Sequence, residues 1–352
     1  MALEPHMSDF LMSDAQSSSE RPLLTIAIPT YNRAKNLDEI LGLIFAQIIG
    51  EHRVEVLVSD NASTDETGSV IRQYERCGPA LRSVFNAVNH GPDFNILQCY
   101  EMARGKYVWI FGDDDLILDD GISKVLDLLR KEEVDYVFIA PYVFHNSIHE
   151  IELKRRVVRT KIIEDPVEMV SYVNLYADLI FISACIINKD NISNLNHPPF
   201  SSLLGTNLIQ LGWIFTCLRH FRRGAFLQLG LLAARAGNSS GGFEGARVFG
   251  ANFKRAVGEM LDDESRVANK ILNDHIEIWF PSNWIDFRKS ERGIQGHSSI
   301  LSRAFRGNWR YWSHVYPLVH APLNTAKIWA RLLRIPNRIK REYLTILGGG
   351  IE

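Results

Sequence analysis

Cysteine is scarce in this chain. Cys77, Cys99, Cys185 and Cys217 are the four among 352 residues, and no two form a C-x-x-C pair. Their scatter argues against a disulfide framework or a cysteine-based zinc site and suits reduced thiols in a cytoplasmic protein. Long apolar runs are missing too. No stretch reaches about 18 uninterrupted apolar residues, so no transmembrane helix is predicted. Nor does either charge dominate: 39 Lys and Arg face 41 Asp and Glu, a net charge of -2, without a global nucleic-acid-binding signature. No G-x-G-x-x-G follows the first apolar run, which speaks against NAD or FAD in the usual dinucleotide mode. The absence of G-x-x-x-x-G-K-[ST] removes a P-loop ATPase. Residues 1–21 lack the apolar core of a signal peptide and read as a disordered lead. A chain that is 46% hydrophobic and 23% charged nevertheless has ordinary means to bury a core.

What is present alternates. Leu24 to Pro29 is a short apolar strand, and a helix is expected from Asn36, its N-cap, through Leu37, Ile40, Leu41 and Ile44. Val54 to Ser59 is a second strand ending at Asp60-Asn61. A helix toward Tyr74 opens after the cap-rich Ser63 to Thr67, and Leu81 to Phe85 is a third strand. Asn89-His90-Gly91-Pro92 turns into a helix over Asp93 to Met102. Tyr107 to Phe111 is a buried strand, Asp119-Asp120-Gly121 starts a helix to Arg130, and Tyr136 to Ala140 is another strand. Strands and helices in this rhythm imply an α/β fold with a mostly parallel sheet.

Asp113-Asp114-Asp115 arrive where the central strand ends, the edge on which open α/β sheets bind ligands. Three adjacent carboxylates repel unless a cation neutralises them, and hard oxygen ligands suit Mg²⁺ or Mn²⁺. An extended or turning backbone lets Asp113 and Asp115 face the same way while Asp114 points elsewhere. An EF-hand loop is excluded because Leu118 occupies the position of its obligatory glycine. Tyr31-Asn32, Asp60-Asn61 and the Asp triplet all follow strands, so a parallel sheet would gather them around one ligand.

Five blocks of residues carry a resemblance. They are Pro29-Thr30-Tyr31-Asn32-Arg33, Val58 to Asp65, Asn89-His90-Gly91, Ala103 to Tyr107 and Gly112 to Asp115. In this order and spacing they resemble family 2 glycosyltransferases of the GT-A fold, of the bacterial O-antigen and capsule type. The resemblance implies a nucleotide-sugar donor (UDP-, GDP-, CDP- or dTDP-linked), Mg²⁺ or Mn²⁺, and inverting transfer to a glycan or polyprenyl-linked acceptor. It implies that Pro29, Tyr31 and Asp60 line the nucleoside pocket with Asn32 and Asn61 nearby. Thr30, Arg33, Asn89, Gly91 and Asp114 join the donor site on the same matched blocks. Asp113 and Asp115 match the family's Asp-x-Asp, toward ribose, diphosphate and metal. Departure of a nucleoside diphosphate develops negative charge that a cation stabilises, and an acceptor hydroxyl needs a base.

Family members carry that base as an acid in a stretch matching Leu204 to Trp213, which here holds none. Asp178 is the candidate base, with His197 behind it. The resemblance thus divides the chain into a GT-A catalytic domain over 22–235, a flexible loop over 236–247 and a helical C-terminal region over 248–352. Within the first, 22–140 binds donor and 141–235 acceptor, and Arg235 beside the loop reads as part of a lid. Val248 to Leu272 is expected to be helical. Residues 301–345 carry nine Lys or Arg against Glu342 alone, interleaved with Trp309, Tyr311, Trp312, Tyr316 and Trp329. That pattern suits peripheral contact with an anionic membrane, hence a place at its inner face, and equally suits packed helices with a solvated basic side. A non-catalytic nucleotide-sugar or glycan-binding relative is the rival reading. Sugar-nucleotide pyrophosphorylase chemistry is set aside because no Gly-rich basic loop follows strand one.

Overall fold

The strands β1 (Leu24–Thr30), β2 (Val54–Asp60), β3 (Leu81–Phe85) and β4 (Tyr107–Ile110) alternate with the helices α1 (Ala34–Gln47), α2 (Thr67–Glu75) and α3 (Pro92–Met102). A computed structural model describes residues 21–78, 80–144, 159–176, 179–228, 230–236, 244–262, 264–289 and 296–347. The four strands lie side by side as β3-β2-β1-β4, all parallel, with Leu24 level with Val54 and Tyr107. Parallel strands need crossover helices, which cover both faces and demand apolar residues on both. Accordingly β2 is buried along its whole length. Its one internal charge, Glu55, is held by Thr25 Oγ1 and the Arg82 guanidinium. α1 buries Leu37, Ile40, Leu41, Ile44 and Phe45 at helical spacing against the sheet.

The chain continues through β5 (Leu116–Ile117), α4 (Gly121–Lys131), β6 (Tyr136–Ile139), β7 (Tyr142–Phe144), β8 (Arg159–Ile163) and α5 (Pro166–Tyr176). Then come β9 (Cys185–Asn188), α6 (Lys189–Ser193), α7 (Leu211–Arg219), β10 (Gly224–Gln228) and β11 (Leu232–Arg235). The main sheet runs β3-β2-β1-β4-β9-β6-β10-β8. Only β9 and β8 run against the other six strands, so the sheet is mostly parallel, as expected. β9 lies between β4 and β6 and joins the first four strands to the rest of the sheet.

Some local details differ from the expectations. The first helix begins at Ala34 instead of Asn36, and Arg33 at its N-cap position makes no side-chain cap. The donors at this helix start are satisfied across the fold: Thr67 Oγ1 accepts from Arg33 N–H at 3.1 Å and an Asp65 oxygen from Ala34 N–H at 3.2 Å. The strand expected from Phe181 starts only at Cys185, because Ile182–Ala184 is a 3₁₀ turn. That turn aims the Ser183 carbonyl at Trp109 Nε1, 2.7 Å away. Finally, β5, β11 and β7 form a second small sheet that the short runs in the sequence did not announce. Two to four residues carry too little periodicity to be read.

The remainder is helical: α8 (Phe253–Met260), α9 (Arg266–Asp274), α10 (Phe280–Lys289), α11 (His297–Phe305), α12 (Tyr316–His320) and α13 (Leu323–Leu347). The helix expected from Val248 to Leu272 is broken between Met260 and Arg266 and begins with a π-helical turn over Arg247–Asn252. These helices share one continuous hydrophobic core with the sheet, from Leu24 to Ala330. At its C-terminal end His275 is wholly buried, stacked on Phe253 at 3.7 Å and on Trp279 at 4.9 Å between ring centres. Its Nε2 lies 2.7 Å from the Phe249 carbonyl, so the neutral ring donates there.

Burial depresses the His275 pKa from 6.5 to about 3. The unfolded chain therefore binds a proton that the folded chain refuses throughout that window, and stability falls as pH drops below 6.5. Wild type is expected to lose on the order of 2 kcal/mol between pH 7 and pH 5 that His275→Phe retains, read by denaturant titration at both pH values.

Candidate active site

The C-terminal ends of β1 and β2 are stitched together by the loops that leave them. Asn32, in a left-handed conformation at φ 52°, donates its N–H to Ser63 Oγ at 2.8 Å. In return its side-chain oxygen accepts from Thr64 N–H at 2.7 Å. Asp60 accepts from Ser63 N–H at 3.1 Å, a local turn in which Ala62 takes φ 66°. Buried Asn61 makes four bonds: its amide donates to Asn89 Oδ1 and the Gly91 carbonyl, and its oxygen accepts from Asn86 Nδ2 and His90 N–H. Gly91 precedes α3 at φ 87°, a backbone that glycine adopts without strain. Buried Asn95 on α3 ties the Thr30 and Ser59 carbonyls together from below.

β4 delivers the carboxylates beside this edge. The backbone turns at Asp113-Asp114, with Asp115 N–H donating to the Gly112 carbonyl at 3.3 Å. Asp113 and Asp115 are buried and Asp114 only half-buried, yet Asp113 and Asp114 share one partner. Arg33 Nη1 donates to Asp113 at 3.0 Å and to Asp114 at 2.9 Å. Thr30 Oγ1 donates to the other Asp113 oxygen at 2.8 Å. Asp115 accepts from Ser183 Oγ at 2.6 Å and from Arg235 N–H at 3.0 Å. Gly112 leaves room for this: a Cβ there would come within 3.1 Å of Asp115 and 3.2 Å of both Asp114 and Ser183.

The buried carboxyls are hard to ionise. Burial pushes Asp113 up to about 6 against the pull of Arg33. Burial likewise pushes Asp115 up to about 7, where Ser183 opposes the shift and neighbouring Asp114 adds to it. Such a pair fits a cation that would replace protons as the neutralising charge. Among the described residues no group of three or more His, Cys, Asp and Glu is arranged to hold a metal. The chain therefore offers one or two carboxylates, and phosphate and water oxygens would have to complete the shell, as Mg²⁺ commonly accepts.

The structure thus gathers Pro29, Thr30, Tyr31, Asn32, Arg33, Asp60, Asn61, Asn89, Gly91 and Asp113 to Asp115 along one sheet edge. Asp178 lies outside the described residues, as do 237–243 of the expected loop. His197 stacks on Phe200 at 4.4 Å and points its Nδ1 at the Pro198 carbonyl, a packing role. Arg235 is engaged with Glu39 and the Asp114 carbonyl, its guanidinium 4.6 Å from the Phe144 ring. Ser183, Asn95 and Asp93 were not foreseen. Asp93 on α3 accepts from Asn207 N–H at 2.8 Å and supplies a carboxylate to the stretch that has none of its own. A polar residue on the buried side of a helix, as at Asp93 and Asn95, is the signal that could have found two of them.

Residues 25–186 match the family model described as Glycosyl transferase family 2. Over 103 residues the chain is 40% identical to abequosyltransferase RfbV of Salmonella typhimurium, covering 29% of this chain and 31% of that one. Over 132 residues it is 29% identical to the GalNAc(5)-diNAcBac-PP-undecaprenol beta-1,3-glucosyltransferase of Campylobacter jejuni, covering 37% and 40%. The matched regions span less than half the length of these curated relatives. Among solved structures, S. aureus TarS 1-349 in complex with UDP-GlcNAc superposes with a TM-score of 0.58 at 18% identity, covering 90% of this chain and 92% of that one. Mannosyltransferase PcManGT from Pyrobaculum calidifontis, in complex with GDP-Man and Mn²⁺, gives 0.52 at 18%, covering 96% and 92%. Likeness at this identity establishes the fold, which is GT-A.

Asn61→Ala is expected to leave the His90 and Asn86 donors without their acceptor and the Gly91 carbonyl with only the Asn95 N–H. The cost should be about 2–3 kcal/mol in chemical denaturation.

Proposed function

We propose that this chain, which carries a family 2 glycosyltransferase domain over residues 25–186, moves a sugar from a nucleotide donor to a glycan or lipid-linked acceptor in cell-surface polysaccharide synthesis. The observation that carries the reading is the buried Asp113–Asp115 cluster at the end of β4, set against the stitched ends of β1 and β2. Relatives named for abequosyl and undecaprenol-linked glucosyl transfer support it, as do fold neighbours holding UDP-GlcNAc and GDP-Man. A polyprenyl-linked acceptor would place the working enzyme at the inner face of a membrane.

In this reading Tyr31, half exposed at the edge, stacks on the nucleobase, while Asp60 and Asn61 hold the nucleoside. Asp113 and Asp115 would hold Mg²⁺ or Mn²⁺, which supplies positive charge where the diphosphate leaves. Arg33 keeps Asp113 and Asp114 together and neutralises part of their charge. Ser183 and the Arg235 backbone fix the Asp115 carboxylate so that little reorganisation is needed on donor binding. Asp178, five residues before Ser183, is the proposed base that takes the acceptor proton, inverting the anomeric centre. The acid-free stretch Leu204 to Trp213 favours the rival, a donor-binding relative without turnover.

Calorimetric titration with UDP, GDP, CDP and dTDP, with and without Mn²⁺, tests the site. One nucleotide is expected to bind with metal dependence, and Asp115→Ala to weaken it at least about 100-fold, the loss of a buried charged contact. Binding of none of the four overturns the donor reading. Asp178→Asn should leave that affinity unchanged and lower the turnover number by about 10²–10⁴, as removal of a general base does. Donor binding without turnover by the wild type would select the rival.

A further inference from the structure

α13 presents apolar residues to the wrong side for a helix that only packs on its own protein. Ala326 and Ala330 are buried and Leu333 and Asn337 half-buried, which marks the face turned to the body. Two positions after each stand Ile328, Leu332, Ile335 and Ile339. Two residues are about 200° around an α-helix, so this stripe points away from the body. They are 59%, 51%, 49% and 59% exposed. One position after each packed residue stand Lys327, Arg331, Arg334 and Arg338, a basic row along the flank of the stripe. Across Leu323–Leu347, six Lys or Arg meet the single acid Glu342. Among the described residues neither Arg331 nor Arg334 pairs with a carboxylate.

The helix is tied down where the stripe begins. Trp329 Nε1 donates to the Ser313 carbonyl at 2.9 Å, and next to Ser313 the Trp312 ring is half exposed. Trp309, also exposed, lies under the Arg310 guanidinium at 4.8 Å. An apolar stripe, a basic flank and exposed indoles are what a helix lying in a lipid headgroup layer requires. No helix among the described residues is long and apolar enough to cross a membrane.

We infer that the outer face of α13 docks flat on an anionic lipid surface, with Ile328, Leu332, Ile335 and Ile339 entering the acyl boundary. Lys327, Arg331, Arg334 and Arg338 then meet the headgroup phosphates. The occupant is argued from charge: a second copy of this chain would set one basic row against another, whereas an anionic bilayer complements it. Docking needs neither donor nor acceptor, so it stands or falls separately from the transferase reading.

Flotation of the full chain with phosphatidylcholine vesicles, alone or mixed with phosphatidylglycerol, tests it. Wild type should bind the mixed vesicles, release at high salt, and bind the neutral ones far less. Leu332→Glu/Ile335→Glu should lose binding about tenfold or more while its melting temperature and nucleotide affinity stay unchanged. Arg331→Gln/Arg334→Gln should weaken binding about fivefold per charge removed and flatten the salt dependence. Equal binding to both vesicle types, no binding, or undiminished binding by the glutamate variant would overturn the inference. So would sedimentation showing a dimer that Leu332→Glu/Ile335→Glu converts to monomer, which would assign the stripe to a second copy.

Discussion

Three consecutive carboxylates packed against the end of a buried strand are an electrostatic liability, and much of the architecture is arranged around it. Burial raises the cost of charge on Asp113 and Asp115, and adjacency raises it further. The compensating donors come from four separate segments. Thr30 closes β1, Arg33 opens α1, Ser183 sits on the 3₁₀ turn before β9, and the Arg235 N–H ends β11. These partners lie between 68 and 120 residues from the carboxylates they serve. The cluster can exist only when the sheet is closed, and so it reports on the integrity of the whole α/β body.

The strand ends beside it are held together in a different way. There the work is done by neutral amides and hydroxyls, with Asn32, Asn61 and Asn95 each serving both as donor and acceptor between loops. Buried polar groups such as Asn61 and Asn95 are costly unless satisfied, and here, with exposed Asn32, one network satisfies the ends of β1, β2 and the start of α3 together. A charged cluster neutralised from afar next to a neutral hydrogen-bonded cradle divides the labour: one part answers the charge, the other fixes the shape.

The C-terminal helices belong to the same core as the sheet, so they are not an appendage. Their aromatic residues divide between two solvents. Tyr311, Phe280 and Trp284 are buried against the body, whereas Trp309, Trp312 and the aliphatic stripe of α13 face outward. An amphipathic helix normally offers one apolar face; α13 has one toward the protein and a second away from it.

From the sequence alone, the strand–helix rhythm, the parallel sheet and the place of the Asp triplet at a strand end were all legible, because each rests on local periodicity and turn chemistry. The resemblance then named a set of residues at the strand ends, and the fold put them along one edge of the sheet. What local patterns could not convey were partners distant in sequence. The first helix starts two residues early because Asp65 and Thr67 satisfy its donors from another loop. Arg33 bridges two members of the triplet from 80 and 81 positions away. Ser183 and Asp93 acquire their roles only through pairings with residues 68 and 114 positions away. Whether the basic aromatic tail faced the body or the solvent was likewise open, since periodicity gives a helix its stripes but not the side that packs. That choice belongs to the tertiary structure, which buries Ala326 and Ala330 and leaves Ile328 and Leu332 outside.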